Sequence, residues 1–345
     1  MSNPFSLTFG VEPNKLISRE KDIDKMIENY TDEKPSTAVY LITGVRGSGK
    51  TVTMTALIDR MKNLEDYIVV TLNPNSQLLQ SLASNLCENP ILKAAFVKAK
   101  ISINMIANLS IETSGPTQDT EVQLKKMLGI VKKMNKRVLV AIDEVTNDAN
   151  FKIFASAYQM FLIEKLPIYL IMTGLYKNIN ALQNEKNLTF LYRAPKYQLE
   201  PLNTLQMSHY FEEVLEITEK EALEMAKFTK GYSYAFQVIG YLKYENKSKS
   251  LKELTRQFDE YMEEYSYEKI WSELSIKDRE IVELLINSQE GKMTVKDIKN
   301  MTNLTSQSFP TYKRRLAGSG VISVDTYGYC ELALPRFKEI AINWL

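Results

Sequence analysis

The stretch Leu41–Thr51, LITGVRGSGKT, limits what this chain can fold into more than any other. Gly44, Gly49, Lys50 and Thr51 satisfy the spacing G-x-x-x-x-G-K-[ST] without a mismatch. The spacing needs a buried strand to deliver the first glycine and a helix to start at the lysine. Both are present. AVYLIT (38–43) is a short apolar run rich in β-formers, and residues 50–62 have helical length.

The backbone of Gly44, Val45, Arg46, Gly47, Ser48 and Gly49 is then expected to curl into a nest whose N–H groups face phosphate oxygens. The following helix directs its positive end to the same place. Lys50 reaches the β- and γ-phosphates, and the Thr51 hydroxyl is offered to Mg²⁺. The alternative is a glycine-rich turn without a ligand, and the flanking strand and helix argue against it.

A second segment fits the first. VLVAIDE places Asp143 and Glu144 at the end of an apolar strand. A carboxylate there can hold the Mg²⁺ shell while its neighbour polarises an attacking water. Read alone, the pair could simply end a strand. A kinase acting on a small molecule would not need Glu144, whereas hydrolysis does.

Further apolar runs at YIVVTLN (67–73), RVLVAID (137–143) and PIYLIMT (167–173), with a weaker one at KYQLEPL (196–202), alternate with helical spacing at 76–89 and 122–134. That alternation predicts an α/β fold with a parallel sheet covered on both faces. Residues 100–119 read as an insertion, with a surface hairpin as one form. From Asn203 to about Tyr267 the periodicity is helical, broken at Gly231.

These motifs together resemble an AAA+ ATPase of the P-loop class. The branch is that of replication-initiator, origin-recognition-type proteins and archaeal-type ATPases, bordering the STAND signalling NTPases. LISREKDIDKMI (16–27) is similar to the family segment beside the adenine, with Ser18 in place of the usual glycine; Ser18 as a helix cap is the alternative reading. The resemblance assigns Arg19 to that neighbourhood. It makes Thr173, in LIMTG, the polar sensor that positions water. It makes Arg193, in YRAPKYQLEPL, a finger inserted into a neighbour's site, with a structural arginine as the alternative. TKGYSYAFQVIGYL (229–242) matches the lid segment that often carries a nucleotide-touching arginine. This chain has Ser233, Tyr234 and Ala235 there, which implies weak nucleotide-driven lid closure and aromatics that pack.

The C-terminal part predicts helices at 274–286, 294–302 and 305–322, then a wing at 321–335 around Gly328. This is the order of a winged helix-turn-helix. Gln307, Ser308, Thr311, Tyr312, Lys313 and Arg315 are its candidate DNA contacts. Residues 271–345 hold ten Lys/Arg and nine Asp/Glu, so protein binding is the competing reading.

Composition sets the outer limits. The 345 residues are 44% hydrophobic and 25% charged with a net charge of +1, which argues against a globally basic nucleic-acid coat. No apolar run reaches membrane-spanning length, the N-terminus lacks a secretion signal, and the two cysteines have no metal or redox spacing.

The expectation is a three-layer α/β core (1–200), a helical lid (201–269) and a winged-helix domain (270–345). The chain binds ATP with Mg²⁺ and hydrolyses it slowly as a cytoplasmic switch. DNA is engaged through 305–330, and a homo-oligomer is an option. The alternative is a regulatory NTPase whose last domain grips protein.

Overall fold

The computed structural model describes residues 3–8, 17, 19–99, 101 and 117–345. The expected insertion at 100–119 falls almost entirely outside the described residues, as does Ser18. Contacts divide the chain into two compact units.

One unit comprises Asp22–Thr43 and Thr53–Tyr197. Its elements begin with α1 (Glu20–Thr31), β1 (Val39–Thr43), α2 (Lys50–Lys62) and β2 (Tyr67–Leu72). Next come α3 (Leu78–Glu88), α4 (Pro90–Lys98), α5 (Thr117–Lys133) and β3 (Arg137–Ile142). Then follow α6 (Ala149–Ile163), β4 (Ile168–Gly174), α7 (Tyr176–Gln183), α8 (Thr189–Arg193) and β5 (Lys196–Gln198).

The strand order is β2-β3-β4-β1-β5. The β2/β3, β3/β4 and β4/β1 pairs are parallel. β1 is buried along its whole length, and β3 and β4 nearly so. Strands covered on both faces read as unbroken apolar runs, which is why VYLIT, RVLVAI and IYLIMTG stand out in the sequence. The weaker run at 196–202 forms only three strand residues. Helices α3, α5 and α6 supply Leu82, Leu86, Leu128, Phe154 and Phe161 to the same core.

Parallel register aligns the strand exits. Thr43 pairs with Gly174, and Ile142 with Met172. The residues that follow β3 and those that close β4 therefore lie on one edge of the sheet. α6 starts beyond that edge because Asp148 caps it, accepting from the Phe151 N–H at 2.8 Å.

The other unit comprises Met1–Lys21, Gly44–Val52 and Gln198–Leu345. Helices α9 (Thr204–Leu215), α10 (Glu219–Phe228), α11 (Ser233–Glu245) and α12 (Leu251–Met262) follow in turn. The break between α10 and α11 is at Gly231, whose φ is +74°. A Cβ there would lie 2.7–2.9 Å from Pro201 and Leu202, so a side chain is excluded by space as well as by φ.

A π-helical turn (Glu263–Tyr267) leads into α13 (Glu268–Glu273) and α14 (Ile276–Asn287). The chain finishes with β6 (Lys292–Thr294), α15 (Val295–Thr302), α16 (Phe309–Gly318), β7 (Ile322–Ser323), β8 (Tyr329–Leu332) and α17 (Phe337–Ala341). The three strands are antiparallel in the order β6-β8-β7. β6 is an addition to the sequence-based picture. α16 starts at Phe309 rather than 305, because Thr305 and Ser308 close a turn on each other, backbone to hydroxyl in both directions at 3.1 Å. Among the described residues no helix is long and apolar enough to cross a membrane.

Candidate functional site

The loop Gly44–Gly49 is built by local geometry and by what packs on it within its own unit. Gly47 and Gly49 have φ of +76° and +90°, the left-handed conformations a nest requires. Lys50 opens α2 and is 7% exposed; its Nζ donates to the carbonyls of Gly44 (3.2 Å) and Val45 (3.0 Å). The ammonium is thus already withdrawn from water, and its desolvation is offset by loop carbonyls. Ser48 is also buried. Val45 lies against Gly320, and the Arg46 guanidinium pairs with Glu273 at 2.9 Å. Arg46 therefore contributes to the loop through its backbone.

The stretch without the lid arginine meets this loop directly. The Tyr232 hydroxyl donates to the Arg46 carbonyl, the Tyr234 N–H to the Gly47 carbonyl (3.0 Å), and the Ser233 hydroxyl to the Ser48 carbonyl (3.0 Å). The aromatics pack as expected, with Tyr232 stacked on Tyr267 at 6.4 Å, but they also bond the loop. Sequence reasoning missed these bonds. Burial pushes the Tyr232 phenol above its ordinary range, so it stays a donor; burial likewise raises Tyr234, to about 12.

In the sheet unit, Asp143, Glu144 and Thr173 form a bonded group. The Thr173 hydroxyl donates to Asp143 Oδ1, and the Glu144 N–H reaches both Thr173 Oγ1 (3.1 Å) and Asp143 Oδ1 (3.1 Å). Glu144 has a φ of +52°, a strained region for a residue with a side chain, held by the Val145 N–H on the Thr173 carbonyl at 2.9 Å. Thr173 is fully buried while the Glu144 side chain is exposed. The arrangement turns one carboxylate outward and fixes the other through a hydroxyl.

The remaining expected residues are dispersed. Arg19, 6% exposed, donates to the Glu200 carbonyl at 2.7 Å. Arg193 ends α8 and is exposed, lining a cavity of about 510 Å³ with Ser36, Thr37, Gln159 and Ile163. Gln307 and Thr311 are exposed, as is Arg314; Ser308, Tyr312 and Lys313 are half-buried. Arg315 is a correction. Its guanidinium is turned inward onto the buried Asp278 (2.7 Å) and Ser275 (3.0 Å), over the Tyr312 ring. It joins α16 to α14 and is half-buried rather than fully exposed.

Residues 16–169 match the model of a family described as an ATPase domain predominantly from Archaea. The match takes in both the Gly44–Thr51 loop and the Asp143–Glu144 pair.

The chain has the fold of a solved ORC2 protein. The ORC2 protein of Aeropyrum pernix in its ADPNP–ADP complexes aligns over 97% of this chain and 96% of its own, with a TM-score of 0.63 at 15% identity. Its ADP form aligns over the same shares with a TM-score of 0.53 at 14% identity. Cdc6p from Pyrobaculum aerophilum covers 97% of this chain and 95% of its own, with a TM-score of 0.49 at 14% identity. No curated protein matches the chain.

Proposed function

We propose that the chain is an ATP-driven switch acting on DNA. The observation that carries the catalytic part is the Asp143–Thr173–Glu144 group. A glutamate held in a left-handed conformation, beside a carboxylate already bonded by a threonine, suits activation of a water for attack on a γ-phosphate. Lys50 and the loop amides of Gly44–Thr51 bind the phosphates. Thr51 and Asp143 would each offer an oxygen of the kind Mg²⁺ takes. When bound, the ion neutralises charge developing on the phosphoryl oxygens. Thr173 orients the water, and Arg19 lies on the adenine side.

Arg193 acts on the nucleotide of a second copy. Its support is its exposure at the rim of a cavity, which leaves the guanidinium presentable to another subunit.

The C-terminal elements act as a winged helix. Support comes from α14, α15 and α16 followed by the β6-β8-β7 sheet, with a wing tip at which Tyr327 is fully exposed. α16 and the turn before it offer Gln307, Thr311 and Arg314 to the duplex, with Lys313 near the phosphates. A reducing, cytoplasmic setting goes with the free, buried Cys87 and Cys330.

The test is ATP turnover of the full chain with and without duplex DNA, over a range of protein concentrations. Stimulation by DNA, and a rise in specific activity with concentration that vanishes in Arg193→Ala, are expected. DNA-independent turnover with no DNA affinity at low salt would transfer the C-terminal elements to a protein partner.

A further inference from the structure

We infer that Tyr232 and Ser233 are positioning residues for the phosphate loop, doing through backbone carbonyls what a lid arginine does through charge. The inference rests on the reading of Gly44–Thr51 as the phosphate site.

A trans peptide unit holds its C=O and N–H in one plane on opposite sides. Fixing a carbonyl therefore fixes the direction of the next residue's N–H. Tyr232 holds the Arg46 carbonyl, which sets the Gly47 N–H. The Tyr234 backbone N–H holds the Gly47 carbonyl, which sets the Ser48 N–H; that group donates to the Val45 carbonyl at 3.1 Å and closes the turn. Ser233 holds the Ser48 carbonyl, which sets the Gly49 N–H. Three consecutive peptide planes of the loop are thus held by three consecutive residues at the start of α11. These planes involve two glycines in the left-handed region, the residues with the most freedom to swing.

The proton arrangement follows from valence. Tyr232 has one hydroxyl hydrogen, and a carbonyl can only accept. The hydrogen goes to the Arg46 carbonyl, so Ser266 donates to the Tyr232 oxygen across their 2.7 Å contact. Ser266 is 1% exposed and sits in the π-helical turn. The extra residue of such a turn gives a reason for the irregularity, since it brings Ser266 onto Tyr232 and lays Tyr267 against its ring. Tyr267 in turn donates to the Pro335 carbonyl at 2.5 Å and meets Phe337 edge-on at 4.9 Å. The loop, the helices after it and the C-terminal elements of this unit are joined by one run of bonded and stacked groups.

A loop whose amides are held in place before nucleotide arrives loses less freedom on binding, so the bonds raise affinity more than they alter the chemical step. The experiment uses the full chain and MgATP, reading KM, kcat and thermal stability for Tyr232→Phe, Ser266→Ala, Ser233→Ala and Ser233→Thr. Removing one such bond is expected to raise KM for ATP about five-fold with kcat changed less than about two-fold. Ser266→Ala acts in the same direction, and Ser233→Thr, which keeps a hydroxyl, restores the wild-type KM. Variants that melt earlier yet keep the wild-type KM, or a Ser233→Thr protein no better than Ser233→Ala, would overturn the inference. Absence of ATP affinity in the wild type would instead remove the phosphate-site reading on which it stands.

Discussion

At the scale of single residues, the two carboxylates of the sheet unit and the glycine of the loop unit each have a distinct local setting. Glu144 is exposed and carried on a strained backbone, whereas Asp143 is bonded through Thr173. Glu144→Gln should keep ATP affinity and lower kcat by about 10²–10⁴-fold, the range for losing a general base. Single-turnover assays beside a nucleotide titration check this, and a variant that loses binding and turnover together would contradict the assignment. Gly47 has a left-handed φ, and a Cβ on it would overlap the Tyr232 hydroxyl. Gly47→Ala should destabilise the fold by about 1–3 kcal/mol in urea unfolding and weaken ATP binding. Lys50, Thr51, Asp143 and Glu144 stand out as candidates because they fall in short spacings. Tyr232 and Ser233 were not, because their partners lie 186 and 185 positions away and are backbone atoms, which leave no mark on residue identity.

At the scale of elements, helix α6 shows what the pattern could and could not reveal. It buries Phe151, Phe154, Tyr158 and Phe161, yet exposes Ile153, Met160 and Ile163, so it is apolar nearly all round and has no clear 3.6-residue stripe. Its start is set by Asp148. Burial raises that carboxyl, but hydrogen bonds from the Thr146 hydroxyl and the Phe151 and Asn150 N–H groups outweigh burial and hold it below its ordinary value. A depressed folded-state pKa contributes stability that is complete above the unfolded value, near about 4, and is lost as pH falls through the folded value. Asp148→Ala should therefore cost about 1 kcal/mol at neutral pH, with the difference from wild type shrinking below about pH 4. Denaturant melts at several pH values check this; a difference independent of pH would place the cost in packing. The strands, by contrast, were readable because burial on both faces forces apolar continuity. The three-residue β6 was too short to leave a pattern, and the start of α16 was hidden by hydroxyl bonding between Thr305 and Ser308.

At the scale of the whole molecule, chain order and spatial grouping differ. Gly44–Val52 leaves β1 in sequence but groups with Gln198–Leu345, because the Tyr232–Tyr234 segment, Glu273 and Gly320 all meet it. Linear reading assigns a loop to the strand that precedes it, so this grouping was not visible. The near-neutral charge of the last 75 residues left DNA and protein as open partners, and the Arg315 charge is partly offset by its pairing with Asp278. If DNA is the partner, the logarithm of duplex affinity of the full chain should fall linearly with the logarithm of salt concentration. Arg314→Ala should reduce that slope by about one without changing sequence preference. A slope unaltered by the substitution would move the contact elsewhere. The central claim is that the loop amides and Lys50 grip the charged tail of ATP. Calorimetric titration of MgATP into the wild-type chain and Lys50→Ala tests it most directly. The account predicts saturable binding to the wild type and a loss of about 10–100-fold on substitution, the value of a charge-assisted bond; equal affinity in the two proteins, or none in the wild type, would contradict it.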